Sequence, residues 1–276
     1  MSSFVYIIAE GVLDVVVLSQ VLTKGYGFNV IEKKSSLPEP AKLWLDQYKW
    51  PNGDDITRRA VPAPVILHKD GTIIGLRNAQ GLNAIENKIT EDRQVFLRIP
   101  WHPSVIGVIL DADDAPIASR FNEFSEMLGR NGYPTPLNIG IVECLDNIRS
   151  AIFSFPGHGQ QGTLEDALLP LANTRFPDLF QHASTYVRNW TDYVRNWTET
   201  HPTSRDFREF RKPSGEKKAI LSAMAAILKP AKPLNSTIED HNWVPNNLES
   251  CSALDPLKIF LDQLLNTEDL AEISSS

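Results

Sequence analysis

Apolar residues in this chain fall into short continuous runs, separated by stretches with helical spacing. Residues 4–9, FVYIIA, form an unbroken run rich in β-branched and aromatic side chains, the pattern of a strand buried on both faces. Glu10-Gly11 interrupts it, and residues 14–22 read as a helix packed behind. Residues 64–67 and 72–74 flank Lys69-Asp70-Gly71, which is the signature of a hairpin with a tight Asp-Gly turn. Gly81 precedes another helix, and residues 104–110 form a second buried strand running straight into Asp111-Ala112-Asp113-Asp114. An amphipathic helix over 116–128 is closed by Gly129 or Gly132, and strand-like runs follow at 137–142 and 151–155. The loop 156–162 ends at Thr163, where a helix starts. Residues 27–62, with Pro38, Pro40, Pro51 and one helix over 41–48, read as an insertion.

Strand and helix alternate to about residue 170, which predicts an α/β fold: a largely parallel, Rossmann-like sheet flanked by helices over 1–172. Residues 173–276 read as a mostly helical C-terminal part. Within it YVRNWT at 186–191 is repeated after Asp192, at 193–198. The period of seven sets Tyr186, Trp190, Tyr193 and Trp197 on one helix face. Core packing is the preferred reading of that stripe; base stacking, with Arg188 and Arg195 alongside, is the alternative. The tail over 266–276 is polar and expected to fray.

Composition narrows the class. The chain has 276 residues with 42% hydrophobic and 22% charged, the balance of a protein with a real core. Asp14, Gln20 and Lys24 break the best apolar run well short of the roughly 18 residues of a membrane span. Met1-Ser2-Ser3 offers no basic region of a signal peptide, and two cysteines, Cys144 and Cys251, are too few for a disulfide framework or a zinc ribbon. A cytoplasmic, reducing location is expected. The net charge is −7, yet residues 185–232 carry ten Lys and Arg against five Asp and Glu. An acidic body with one basic segment suits a carboxylate metal site facing a polyanion, although solvated helices also produce it.

The chemistry points to carboxylates at strand ends. Glu10 follows the first strand, Asp14 lies one helical turn on, and Gly11 supplies the turn between them. Asp111 and Asp113 follow the second strong strand in the same manner. In an open parallel sheet functional groups collect at the carboxyl ends of strands. Four carboxylates in one crevice need a cation, and Mg²⁺ or Mn²⁺, one or two ions, is the natural counter-charge. Each motif alone has a plain reading, as a helix start or a turn; the order and spacing of both is more specific.

Glu10 in Glu10-Gly11-Val12-Leu13-Asp14, then Gly81, then Asp111-Ala112-Asp113 resembles the Toprim pattern of topoisomerases, primases and overcoming-lysogenisation-defect nucleases. Phe155-Pro156 followed by Gly162-Thr163-Leu164-Glu165-Asp166 is similar to a small stand-alone Toprim family of unassigned function close to those nucleases. The resemblance implies a further metal-side Glu, best matched by Glu165, and a late Lys, best matched by Lys218 with Lys217 as the alternative. It implies that the helical part contributes to the same site as the core. Structurally, Thr163 and Asp166 also form a capping box.

The expectation is therefore a divalent-metal-dependent nuclease with Glu10, Asp111, Asp113 and Lys218 catalytic and Glu10, Asp14, Asp111, Asp113 and Glu165 as metal ligands. Nucleic acid is the expected partner, with Arg205, Arg208, Arg211 and Lys212 on its phosphates; a solvated loop is the plain alternative for that segment. The related nucleases carry an ATPase domain, and this chain has no GxxxxGK[ST] loop. The second reading is a non-catalytic or partner-gated module controlled by a separate ATPase, in a setting such as phage defence.

Overall fold

The computed structural model describes residues 3–48, 53–57, 63–99, 102–113, 116–157, 159–202 and 205–265. Asp114, parts of the expected insertion (49–52 and 58–62) and the polar tail 266–276 lie outside the described residues. Strands β1 (Ser3–Ala9), β2 (Asn29–Val30), β3 (Val65–Lys69) and β4 (Thr72–Asn78) precede β5 (Val105–Asp111), β6 (Glu143–Leu145) and β7 (Ile148–Phe155). They form a seven-stranded sheet in the order β2-β3-β4-β1-β5-β7-β6. The four central strands, β4-β1-β5-β7, run parallel, and the flanking β2, β3 and β6 run antiparallel to their neighbours. The hairpin between β3 and β4 turns on Asp70 (φ 47°) and Gly71 (φ 82°), the pair of positive angles that an Asp-Gly turn provides.

Alternation along β1 builds both cores. Val5, Ile7 and Ala9 face one side, and Phe4, Tyr6 and Ile8 face the other. The second side is covered by α2 (Glu39–Leu45), α3 (Ile85–Phe96) and α4 (Ile117–Arg130), through Trp44, Phe96 and Phe124. The first side is covered by α1 (Val12–Tyr26) and by the C-terminal helices. These are α5 (Leu164–Arg175), α6 (Pro177–Thr200), α7 (Gly215–Leu228), α8 (Leu234–Asp240) and α9 (Asp255–Leu264). Leu168, Leu221 and Phe260 from these helices join the same apolar cluster as β1 and β5. Among the described residues no helix is long and apolar enough to cross a membrane.

On the second side, Asp92 of α3 is buried and accepts hydrogen bonds from Tyr6 Oη at 2.9 Å and Trp44 Nε1 at 3.0 Å. It also pairs with Arg77 Nε at 3.1 Å. This ties the helix of the expected insertion to β1 and β4. Gly75 of β4 must be glycine, because a Cβ there would meet Trp44 at 2.4 Å.

Two sequence expectations are corrected. Residues 137–140 are bends and turns, 141–142 are irregular, and the strand begins at Glu143. Leu137 and Ile141 are exposed and Gly140 takes a φ of 75°, so the run turns away from extended backbone, although Gly140 N–H donates to the Ile152 carbonyl at 2.8 Å and Ile139 and Val142 pack against the two cores. The aromatic stripe of α6 is not core. Val187 and Val194 are buried while Tyr186, Trp190 and Tyr193 point outward, because the helix docks by its narrower aliphatic face.

Candidate functional site

The parallel strands end together. Ala9 pairs with Asn78 and with Ile109, and Asp111 pairs with Phe155, so β4, β1, β5 and β7 present their carboxyl ends along one edge. Glu10 extends β1 by one residue, its N–H donating to the Ile109 carbonyl at 3.2 Å. Its own carbonyl accepts from Gly81 N–H at 2.9 Å. Gly81 holds that position with a φ of 124°, an angle few other residues adopt. Gly81 thus shapes the turn beside Glu10, ahead of the helix that the sequence placed after it.

Each neighbouring carboxylate is fixed by the chain. Asp14, on the first turn of α1, is buried and accepts from Gly11 N–H at 2.7 Å. Asp111 Oδ1 accepts from Leu164 N–H at 2.8 Å, at the start of α5. Asp113 has a φ of 47° and donates its N–H to the Gly162 carbonyl at 2.8 Å, which pins the 156–162 loop to the end of β5. Its side chain pairs with Arg120 Nη2 at 3.0 Å. Glu165 is buried, and Lys218 Nζ lies 3.8 Å from its Oε1. Thr163 N–H donates to Asp166 Oδ2 at 3.0 Å, the expected start of α5, and Asp166 also pairs with Lys217 at 2.6 Å.

The electrostatics are those of like charges held away from water. Burial raises Glu10 above the usual carboxylate range, and the Asp113 charge adds to this. Asp14 is pushed up to about 7 by burial, with Glu10 and Glu165 contributing. Asp111 is pushed up to about 9 by burial and by Asp14, Glu165 and Glu10. One oxygen of Glu10 and one of Glu165, Oε2 in each case, are sealed from solvent and accept no hydrogen bond among the described residues. Among the same residues no three His, Cys, Asp or Glu side chains are already gathered as a ligand set. Asp14, Asp111 and Asp113 are turned instead to Gly11, Leu164 and Arg120. The donor set nevertheless fits a hard divalent cation, since it is all carboxylate oxygen and two of those oxygens lack any partner.

Glu10, Asp111 and Asp113 open into a cavity of about 570 Å³, whose other wall carries Lys212, Lys217 and Lys218. The lysines come from α7 and the turn before it, so the helical half faces the sheet edge across this space. Of the expected phosphate contacts, Lys212 reaches the cavity rim. Arg211 lines an adjoining hollow instead, and Arg205 and Arg208 are exposed without lining the carboxylate cavity. Sequence reasoning missed Arg120. Its spacing, one helical turn into the helix after the DxD segment, was a readable signal for a side chain folding back on Asp113.

Fold and site together define an α/β protein with an acidic crevice at the carboxyl ends of its parallel strands. The chain belongs to the family described as "Protein of unknown function (DUF3226)", whose profile matches residues 6–266. It is also similar in fold to the crystal structure of the hypothetical protein PH0156 from Pyrococcus horikoshii OT3. The TM-score is 0.52, the identity 15%, and 99% of each chain is covered. No curated protein matches the sequence.

Proposed function

We propose that this chain is a divalent-metal-dependent nuclease hydrolysing phosphodiester bonds of DNA or RNA at the carboxylate crevice. The observation that supports it most is the pair of buried, partnerless oxygens, Glu10 Oε2 and Glu165 Oε2, among carboxylates whose ionised forms burial disfavours. One divalent cation offsets both defects. Glu10, Asp111 and Glu165 would hold Mg²⁺ or Mn²⁺, with Asp14 behind them and Asp113 joining on release from Arg120. Bound there, such an ion supplies polarisation of a phosphoryl oxygen and activation of water. The chain's own residues do the rest. Lys212, Lys217 and Lys218 place positive charge where a phosphate would sit in the cavity. Lys218 would stabilise the charge that develops on it, and the Arg120 guanidinium offers a planar fork to the same group. In this reading the chain is a stand-alone Toprim protein akin to the overcoming-lysogenisation-defect nucleases.

A second reading, a module gated by a separate ATPase, is favoured by one observation. The carboxylates are held by internal donors and are not gathered as ligands. Purified protein with Mg²⁺ or Mn²⁺ and a panel of labelled DNA and RNA separates the two. Cleavage by the wild type that Asp111→Asn abolishes supports the nuclease. Metal binding without cleavage of any substrate supports the gated module, and absence of metal binding contradicts both.

A further inference from the structure

Among the described residues, each cation lining the carboxylate cavity already faces a carboxylate. Lys217 pairs with Asp166 at 2.6 Å, Lys212 pairs with Glu209, and Lys218 lies 3.8 Å from Glu165. Arg120 differs from these lysines in what it holds. It stands one turn into α4 and reaches back to the end of β5. Its Nη2 donates to Asp113 Oδ2 at 3.0 Å, and its Nη1 donates to the Asp111 carbonyl at 3.4 Å. Nε of the same guanidinium is sealed from solvent and makes no hydrogen bond among the described residues.

This contact is suited to exchange. Only Nη2 meets the carboxylate, and the Asp113 side chain is 43% exposed; single-bonded pairs open to water hold weakly. The edge formed by Nε and Nη2 has one donor unused and fits two oxygens of one phosphate side by side, the stronger arrangement. Asp113 does not leave with Arg120. Its backbone N–H is bonded to the Gly162 carbonyl at 2.8 Å, and it lines the same cavity as Glu10 and Asp111. Losing Arg120 therefore leaves an uncompensated carboxylate beside oxygens that suit a hard cation. Lys218 has no such role. At 3.8 Å it is beyond hydrogen-bond reach, and Glu165 Oε2 has no partner, so a cation meets Glu165 without displacing the lysine.

Resting on the nuclease reading and naming how its site is controlled, we propose that the Arg120–Asp113 pair is a latch that substrate opens. The phosphodiester takes the guanidinium, Asp113 turns to the cation, and each ligand strengthens the binding of the other. Before substrate arrives Asp113 is withheld, and the ion rests on Glu10, Asp111 and Glu165. Arg120 is thus a positioning residue for Asp113 as well as a phosphate contact.

The test reads free Mn²⁺ by electron paramagnetic resonance on the full chain, with and without dimethyl phosphate at matched ionic strength. That probe carries the single charge and the two free oxygens of a phosphodiester. In the wild type it is expected to tighten Mn²⁺ binding at least about fivefold. Arg120→Met should bind Mn²⁺ alone about two- to fivefold more tightly than the wild type, because the competing pair is gone, and should keep under about twofold coupling. In the Asp113→Asn background, adding Arg120→Met should leave Mn²⁺ affinity unchanged, which separates the latch from the general effect of removing a positive charge. Arg120→Lys keeps the charge without the fork and should also lose most of the coupling. If Arg120→Met does not fold, Arg120→Lys and Asp113→Asn carry the comparison. Coupling of wild-type size in Arg120→Met means that the metal itself binds the phosphate, and it overturns the latch. So does an equal tightening by Arg120→Met in the wild-type and Asp113→Asn backgrounds. Cleavage of nucleic acid without coupling would overturn the latch and leave the nuclease standing. Coupling without cleavage of any DNA or RNA would do the reverse.

Discussion

Asp111 shows how one residue's environment sets a measurable property. Its carboxyl is raised to about 9 and that of Asp14 to about 7, against ordinary unfolded values of about 4. The unfolded chain therefore releases these protons at lower pH than the folded chain does. The stability that these two protons contribute is fully present below about pH 4 and is lost as pH rises through the folded values, towards about pH 9. Thermal melting of the metal-free protein should show this fall, and Asp111→Asn should remove its alkaline part while keeping the bond to Leu164 N–H. Mn²⁺ should raise the melting temperature more at about pH 8.5 than at about pH 5.5, because a bound cation favours the ionised carboxylates. A second residue prediction concerns the opposite side of the sheet. Asp92→Ala removes the buried carboxylate that pairs with the buried Arg77 and should cost about 3–5 kcal/mol in urea unfolding. At this scale the sequence was readable for Glu10, Asp14, Asp111 and Asp113, which follow buried strands. The Tyr6-Trp44-Asp92 network was not, since its contacts join residues 48 and 86 apart in the chain.

Elements were legible wherever local chemistry and tertiary packing agree. The Asp70-Gly71 turn, the strands over 4–9 and 104–110 and the helix from Thr163 all carry their own signals, and all are present. The failures have one cause in common. Periodicity names the faces of an element but not which face finds a partner. In α6 the aromatic face is the larger, yet Val187 and Val194 are the buried positions of a helix that packs against α5 and α7. Between residues 137 and 142 the chain turns at Gly140 and does not run on as a strand, and the edge strand forms from Glu143-Cys144-Leu145 instead. The α6 assignment has a direct check by thermal melting. Val194→Asp should lower stability by about 2–4 kcal/mol, as a buried unpaired charge does, while Tyr186→Ala should change it by under about 0.5 kcal/mol.

At the level of the whole molecule, the register of β1 with β4 and β5 brings Glu10, Gly81 and Asp111 to one edge. The helices after β7 then return over the first face and set Lys212, Lys217 and Lys218 opposite. The strand ends could be anticipated from the sequence, and Lys212, Lys217 and Lys218 were each singled out in it; that all three share one wall could not be read there, because it depends on how α7 docks. The central claim is that this crevice holds a divalent cation for phosphodiester hydrolysis. Calorimetric titration of Mn²⁺ near neutral pH, in two buffers of different ionisation enthalpy, measures both binding and protons released. The account predicts binding by the wild type with net proton release, since Asp111 holds its proton until a cation arrives, and loss of binding in Asp111→Asn. Mn²⁺ binding of equal strength in wild type and Asp111→Asn, or none in either, would contradict it.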